Sequence, residues 1–429
     1  MPQRISHRKL NRYSADELIR MNSKSHGDYE RECTICNRSD SLEKWKDGTF
    51  ICRICSRLLK LSDSVADRSE QIYYTVISSE KSSRTAGAML PFGCTLVSDT
   101  KESLTDAMKN EEGYVRSYSK NTLFSGKRVA SKLWVGDYSA EKDFSALVEK
   151  SEGIDRLCVL RADVDNLGTA FVSGFPEKYT TISRTSAFSS KLSLFFKHDI
   201  NRILEEPQFA VTGNIKEKRN VSIIYSGGDD VFVVGGWDDV IGFAVDLSDA
   251  LKKFSLGTLT VSAGIGMFDK SYPLYSMAGQ TGKLEDFSKK NPGKDSVTLF
   301  DETGRYHWKE FKEKVVGEKL AAIREFLDGN EERGKAMLYR MLELIRENDA
   351  EVGEKEGTHR LNIARFAYVL ARLAPADKTA ADYDDRYCAY NEFKGKMYNW
   401  VNADEDRRQL VTAIYLYIYS VRKKENDNG

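Results

Sequence analysis

The period of the apolar positions changes along the chain, and the changes mark elements. Arg156–Asp163 is apolar enough to predict a strand, and Thr185–Leu204 carries Phe188, Leu192, Phe195/Phe196 and Ile200 at helical spacing. Val221–Tyr225 and Val231–Gly235 predict two strands joined by a tight turn at Gly227-Gly228-Asp229-Asp230. Asp238 or Asp239 is placed to cap a helix running to Phe254, and Thr258–Gly264 predicts the next strand. In order this is βαββαβ, the ferredoxin-like arrangement of polymerase and cyclase palms. A helix over Tyr275–Lys290 and a strand over Ser296–Phe300 follow.

Outside that block the pattern differs. Residues 1–30 are polar and without sustained periodicity, as in an N-terminal arm or linker. Residues 61–150 are mixed: Gln71–Ser78 alternates like a strand, Ala88–Val97 contains a Pro-Phe-Gly turn, and Lys132–Tyr138 is a further short strand. From His307 onward the spacing is helical only, with Met337/Leu338, Met341/Leu342 and Leu344/Ile345 in one series and Val411–Ile418 nearly all apolar. The chain is therefore expected to be α+β. The expected parts are an arm (1–30), a zinc-binding and connecting region (31–150), a palm (151–306) and an all-α helical bundle (307–429).

Composition narrows the class. A length of 429 residues allows two to four domains, and 41% hydrophobic with 30% charged residues describes a globular chain. Lys plus Arg equals Asp plus Glu at 65 each, which argues against a free-standing nonspecific nucleic-acid binder. No apolar run approaches a membrane span, and Met1-Pro2-Gln3-Arg4 opens no signal peptide. Four of the seven cysteines fall in one pattern, a usage that reads as cytoplasmic and metal-binding rather than disulfide-forming.

That pattern is Cys33-Thr-Ile-Cys36 and Cys52-Arg-Ile-Cys55, with fifteen residues between the pairs. Each two-residue spacer turns both sulfurs toward one ion, and two such knuckles make a tetrahedral four-thiolate zinc site. Four thiolates leave no place for water, so the expected Zn²⁺ is structural.

The second constellation is Asp163-Val-Asp165-Asn166-Leu-Gly168 with Ser226-Gly227-Gly228-Asp229-Asp230. In βαββαβ topology the first and third strands are antiparallel neighbours, which brings Asp163 beside Asp229 and Asp230. Clustered carboxylates repel unless they share cations, and all-oxygen ligation suits Mg²⁺ or Mn²⁺. Gly227 and Gly228 are expected to give the turn positive φ and to let phosphates approach the backbone. Such a tetrad taken alone also suits a plain solvated turn; the Asp-x-Asp on the neighbouring strand favours a metal site.

The small residues Ser262-Ala-Gly-Ile-Gly266 permit a close ligand, and Lys289 and Lys294 either reach its phosphates or are solvated surface cations. His198-Asp199 lacks the further ligands of a phosphohydrolase among five scattered histidines and reads as helix surface. No Walker loop, GxSxG motif or Cys-His dyad is present.

Together Arg161-Ala-Asp-Val-Asp-Asn-Leu-Gly168, Ser226-Gly-Gly-Asp-Asp230, the cysteine segment and Arg365-Phe-Ala-Tyr-Val-Leu-Ala-Arg372 resemble the large subunit of type III CRISPR effector complexes, especially the Csm (III-A) subtype. The resemblance runs from about residue 30 to the C-terminus. It implies a part in antiviral defence, with two facing palms that each hold one ATP and join ATP into cyclic oligoadenylates once target RNA pairs with guide RNA. It implies that Asp163, Asp229 and Asp230 are metal ligands and that Asp165 and Asn166 lie near the nucleotide. Gly227, Gly228 and Ser262 would line it, and Lys289 and Lys294 would lie near the phosphates. It implies other subunits as partners, with the helical tail beside the small subunits and the RNA duplex. The family's HD nuclease domain and first palm have no room here, so a split-gene product or a truncated form is expected. Single-stranded DNA cleavage is not expected of this chain, and a separate chain would supply the first palm. The competing readings are a homodimeric diguanylate cyclase, which would carry Gly-Gly-Asp/Glu-Glu-Phe at the turn, and a non-catalytic ATP-binding scaffold. Adenine or guanine preference is not legible.

Overall fold

The computed structural model describes residues 14, 32–45, 48–66, 71–81, 84, 87–110, 112–141, 143–328, 331–352, 361–375, 378–379 and 381–422. The polar arm expected over 1–30 lies, apart from Ser14, outside the described residues. The chain divides into two compact units, Met1–Leu133 and Trp134–Gly429.

In the first unit, β1 (Leu42–Lys44) and β2 (Phe50–Cys52) pair antiparallel and lead into α1 (Arg53–Ala66). The strands β3 (Tyr73–Ser78), β4 (Ala88–Leu90), β5 (Cys94–Asp99), β6 (Tyr114–Lys120) and β7 (Ser131–Leu133) form a five-stranded sheet in the order β4-β5-β3-β6-β7. The Pro-Phe-Gly turn closes the β4–β5 hairpin with Phe92 and Gly93 at φ 62° and 64°. Helix α2 (Lys101–Asn110) buries Leu104 and Met108 with Tyr73 and Phe124 as a small core of its own.

The second unit begins at Trp134. Residues 134–150, grouped by the sequence pattern with the cysteine region, pack here: Tyr138 enters the main core, and Leu147 and Val148 of α3 (Phe144–Glu149) cover one sheet face. The expected Lys132–Tyr138 strand shortens to β7, because the chain leaves the first sheet at that division. The palm strands are β8 (Leu157–Val164), β9 (Val221–Ser226), β10 (Asp230–Gly236) and β11 (Val261–Phe268). With β12 (Ser296–Leu299) and β13 (Arg305–His307) they form a six-stranded sheet in the order β13-β12-β11-β8-β10-β9. The run β11-β8-β10-β9 is the ferredoxin-like order that βαββαβ predicts. On β8, Cys158, Leu160, Ala162 and Val164 face the main core while Leu157 and Val159 face a second cluster with Val234 and Met277. Helices cover both faces, so the strand reads as an almost unbroken apolar run.

After β8 comes a short helix, α4 (Leu167–Ser173), then α5 (Ile182–Leu194), capped by Thr181 accepting from Arg184 N at 3.3 Å. The expected Thr185–Leu204 helix is not uniform: α5 passes through a π-helical turn, Phe195–Asp199, into α6 (Ile200–Glu205). The widened turn buries the adjacent Phe195 and Phe196 together. Helix α7 (Trp237–Phe254) follows β10. Its N-cap is Gly236; Asp238 and Asp239 lie in its first turn rather than capping it, because both carboxylates turn to Lys216 Nζ, at 2.6 and 2.7 Å. The fourth strand begins at Val261, three residues later than expected, because Leu256 and Gly257 turn the chain at φ 53° and 80°. Helix α8 (Leu274–Lys289) packs on β11 and β8.

Beyond β13 the chain is helical. It runs through α9 (Trp308–Glu310), a π-helical segment Phe311–Leu320, α10 (Ala321–Leu327), α11 (Glu331–Val352), α12 (Leu361–Ala371), α13 (Tyr383–Asn402) and α14 (Asp404–Val421). Leu410, Ala413, Ile414 and Tyr417 of α14 share the palm's core with Trp308 and Phe311, so this bundle is continuous with the sheet. Among the described residues no helix is long and apolar enough to cross a membrane.

Candidate functional site

Two groups of side chains carry chemistry, one in each unit. In the first unit, Cys33 and Cys36 sit in a turn closed by Asn37 N donating to Cys33 O at 2.8 Å. Cys52 ends β2, and Cys55 lies in the first turn of α1. All four sulfurs lie within 4.8 Å of one another, the only such convergence of three or more ligand side chains among the described residues. The Cys36–Cys52 sulfur distance is 3.6 Å. A tetrahedron with ~2.3 Å bonds to zinc has edges near ~3.8 Å, so the cluster fits the ion. Burial opposes ionisation of Cys33, but N–H groups of Cys52, Cys36 and Ile35 bring its thiol down to about 6. Burial and its sulfur neighbours push Cys55 up. The apolar neighbours are few, chiefly Ile51 with Leu42, Trp45, Ile54 and Leu59. A core of that size does not order a segment unaided.

In the second unit the palm topology assembles the other group. Asp230 on β10 and Ser262 on β11 are the direct cross-strand partners of Asp163 on β8. Asp229, in the β9–β10 turn, accepts Val164 N on its carbonyl at 3.1 Å. Burial first, then the like charges of Asp163 and Asp230, raise the Asp229 carboxyl above its usual range, with Lys289 opposing. The donor set is all oxygen and only partly compensated by Lys289, which suits a hard divalent cation. These oxygens do not converge as the sulfurs do. The cation against Asp163 here is the Lys289 ammonium, 2.7 Å from Oδ2.

Neither glycine of the turn adopts the left-handed backbone expected of it. At Gly227 a Cβ would instead lie 2.3 Å from Tyr225 Oη and 2.4 Å from Asp230 Oδ1, the ends of two side chains that would have to shift. Gly228 has open space around it. Ser226 donates its hydroxyl to the Phe196 carbonyl in the π-helical turn, anchoring the hairpin.

The remaining expected residues divide. Asp165 is buried, and its Oδ2 accepts from Thr260 Oγ1 at 2.8 Å and Asp295 N at 3.0 Å, clipping the loop after α8 to the end of β8. Asn166 adopts φ 53°, and its Oδ1 accepts from Lys294 Nζ at 2.7 Å. Ser262 is fully buried, and its hydroxyl has no hydrogen-bond partner. Asp165 and Asn166 also line a cavity of about 790 Å³ walled by Phe175, Phe188 and Phe254, with Arg184 and Lys191 at its rim. That cavity was not legible in the sequence, since its walls come from three separated segments. Glu285, which holds Lys289 at 2.6 Å, was also missed; its i,i+4 spacing to Lys289 on a helix was the available signal. His198 pairs with its neighbour Asp199 at 3.0 Å and stacks edge-on to Trp134.

Residues 156–298 match the second palm domain of Cas10/Cmr2, and residues 324–423 match the second helical domain of the Cmr2 subunit of the CRISPR RNA silencing complex. The chain is 42% identical over 439 aligned residues to a Mycobacterium tuberculosis protein, the CRISPR system single-strand-specific deoxyribonuclease Cas10/Csm1 of subtype III-A. That alignment covers 100% of this chain and 51% of the relative, so the chain spans about half the length of the relatives it matches. A Csm1–Csm4 cassette solved with one ATP superposes with TM-score 0.60 at 22% identity, over 86% of this chain and 50% of that one. The same cassette with cA3 gives 0.60 at 21% identity, over 86% and 49%.

Proposed function

The chain belongs to the Cas10/Csm1 family of subtype III-A CRISPR systems, and we propose that its palm binds ATP with a divalent cation and takes part in joining ATP into cyclic oligoadenylates. The observation that carries this reading is the register that sets Asp230 and Ser262 across from Asp163, followed two and three residues on by Asp165 and Asn166, which line an aromatic-walled cavity. In this reading Asp163, Asp229 and Asp230 hold Mg²⁺ or Mn²⁺, whose chemistry is to activate a 3′-hydroxyl and stabilise departing pyrophosphate. The base enters the cavity against Phe175 and Phe188, where stacking contributes about 1–3 kcal/mol. Lys289 and Lys294 serve the phosphates, and Gly227 and Gly228 give the triphosphate access to the turn. The reaction forms one bond from a 3′-oxygen to an α-phosphorus and breaks the bond to pyrophosphate.

Cys33, Cys36, Cys52 and Cys55 hold a structural Zn²⁺. The partners in this reading are a Csm4-type subunit and other complex subunits, guide RNA and target RNA. A second palm supplies the other nucleotide, since near-attack positioning of both reactants is worth about 7–11 kcal/mol of barrier. The deoxyribonuclease named for the relatives is a property of those longer proteins. The test is mass-spectrometric product analysis with ATP and Mn²⁺, for the chain alone and assembled with the other subunits, guide and target RNA. Cyclic oligoadenylates are expected from the assembly and almost none from the chain alone. Product rising with the square of chain concentration, with no other subunit present, would replace this reading with a homodimeric cyclase.

A further inference from the structure

The ion pair that engages Asp163 is part of a longer chain of charges. Lys289 Nζ lies 2.7 Å from Asp163 Oδ2 and 2.6 Å from Glu285 Oε1, while Glu285 Oε2 lies 3.2 Å from Arg161 Nε. Arg161 and Asp163 are two apart on β8, and Glu285 and Lys289 are one turn apart on α8. Glu285 is 6% exposed, whereas the side chains of Asp163 and Lys289 are 28% and 30% exposed. The buried member therefore sits between two more accessible cations, with one oxygen for each.

A glycine on β11 makes room for this arrangement. Gly264 on β11 lets α8 press onto the sheet, since a Cβ there would lie 2.3 Å from Glu285 N. Gly282 on α8 leaves the lane for Arg161, whose Nη1 would lie 2.9 Å from a Cβ at that position. Among the described residues, the ion pairs of Glu285 are with Lys289 and Arg161.

We propose that Glu285 is the positioning residue of the palm site: it shares the Lys289 ammonium with Asp163, so that a divalent cation can displace Lys289 from Asp163 while the lysine stays beside the site for an anionic ligand. This rests on the reading of Asp163 as a metal ligand. Without Glu285 the ammonium has Asp163 as its single partner and competes harder with the metal. Without Lys289 the competition ends, and Glu285 loses its influence on the metal.

The test is Mn²⁺ binding to the full chain without nucleotide, followed by the electron paramagnetic resonance of free Mn²⁺. The proteins are wild type, Glu285→Gln, Lys289→Met, the double variant and Asp163→Asn. Glu285→Gln is expected to weaken Mn²⁺ binding about three- to tenfold and Lys289→Met to tighten it by a similar factor, as befits one screened charge a few ångströms away. In the Lys289→Met background the Glu285→Gln effect is expected to shrink to less than about twofold. An equal Glu285→Gln effect in both backgrounds would overturn the proposal, since it would mark Glu285 as a distant charge and nothing more. If Asp163→Asn leaves every Mn²⁺ site intact, the metal reading itself fails. A melting curve matching wild type is required of each variant, and Glu285→Asp, which keeps the charge but shortens the reach, gives a second reading if Glu285→Gln does not fold.

Discussion

The two chemical centres of this chain are built by opposite routes. The cysteine cluster takes its side chains from two short local turns, and its sulfurs stand within 4.8 Å of one another. The acidic cluster takes its ligands from strands far apart in sequence, and a lysine stands against one of them. The two-residue spacers of the cysteine segment bring the four sulfurs together through local geometry. Ionised carboxylates repel, and here the Lys289 ammonium stands against Asp163. In the proposed reading the first kind of centre supports a fold and the second exchanges its ion.

The sharpest way to break the comparison is to remove the ion from the local centre. Zinc at one per chain is expected in freshly purified protein, and Cys52→Ser should remove it and loosen the segment over residues 32–66. Apparent zinc-site energies of about 10 kcal/mol stand behind that segment. The palm should melt as before. Elemental analysis and a melting curve decide it, and purified wild type without zinc would end the structural-zinc reading.

Next in size is the acidic centre. Replacing Asp229 and Asp230 by Ala should lower product formation in the assembled complex by about a hundredfold or more, with Asp163→Ala matching it. Product at the wild-type rate would place the chemistry elsewhere. The neighbouring cavity gives a smaller effect: Phe188→Ala, which strips one aromatic wall, should weaken ATP binding by about tenfold, read by calorimetry on the full chain. Unchanged affinity would move the base out of that cavity.

The smallest effect concerns stability. The Asp229 carboxyl is raised in the folded protein by burial and by its acidic neighbours. A raised folded value means that folding is favoured with the proton on, and that stability is lost as pH rises through that value. In chelator at neutral pH, Asp229→Asn should therefore melt slightly higher than wild type, by less than about 1 kcal/mol for so accessible a group. The gain should vanish below about pH 3.9, where the unfolded carboxyl is also protonated. A gain that persists in acid would trace to packing instead.

Much of this was legible before the fold was known. The order of the four palm strands follows from alternating β and α periods together with one tight hairpin, because few topologies satisfy both. The convergence of the four cysteines followed from spacing alone. What misled was local inference at positions whose role is tertiary. The glycines of the turn read as left-handed residues, yet neither is, and the side-chain ends of Tyr225 and Asp230 converge on Gly227. Asp238 and Asp239 read as helix caps, yet Lys216 claims both.

By itself, then, the amino-acid order determined the periods, the knuckle spacing and the pairing of β8 with β10, since each depends on neighbours in sequence or on a topology with few alternatives. Only the tertiary structure decided the aromatic cavity between separate segments and the partner of Lys289. It also decided that residues 134–150 belong with the palm sheet. The reason is physical: a side chain's charge and size are written in the sequence, but which long-range partner satisfies them depends on how closely two backbones approach. Here that approach is set by Gly264, whose missing side chain allows α8 to lie on the sheet and Glu285 to reach both Lys289 and Arg161.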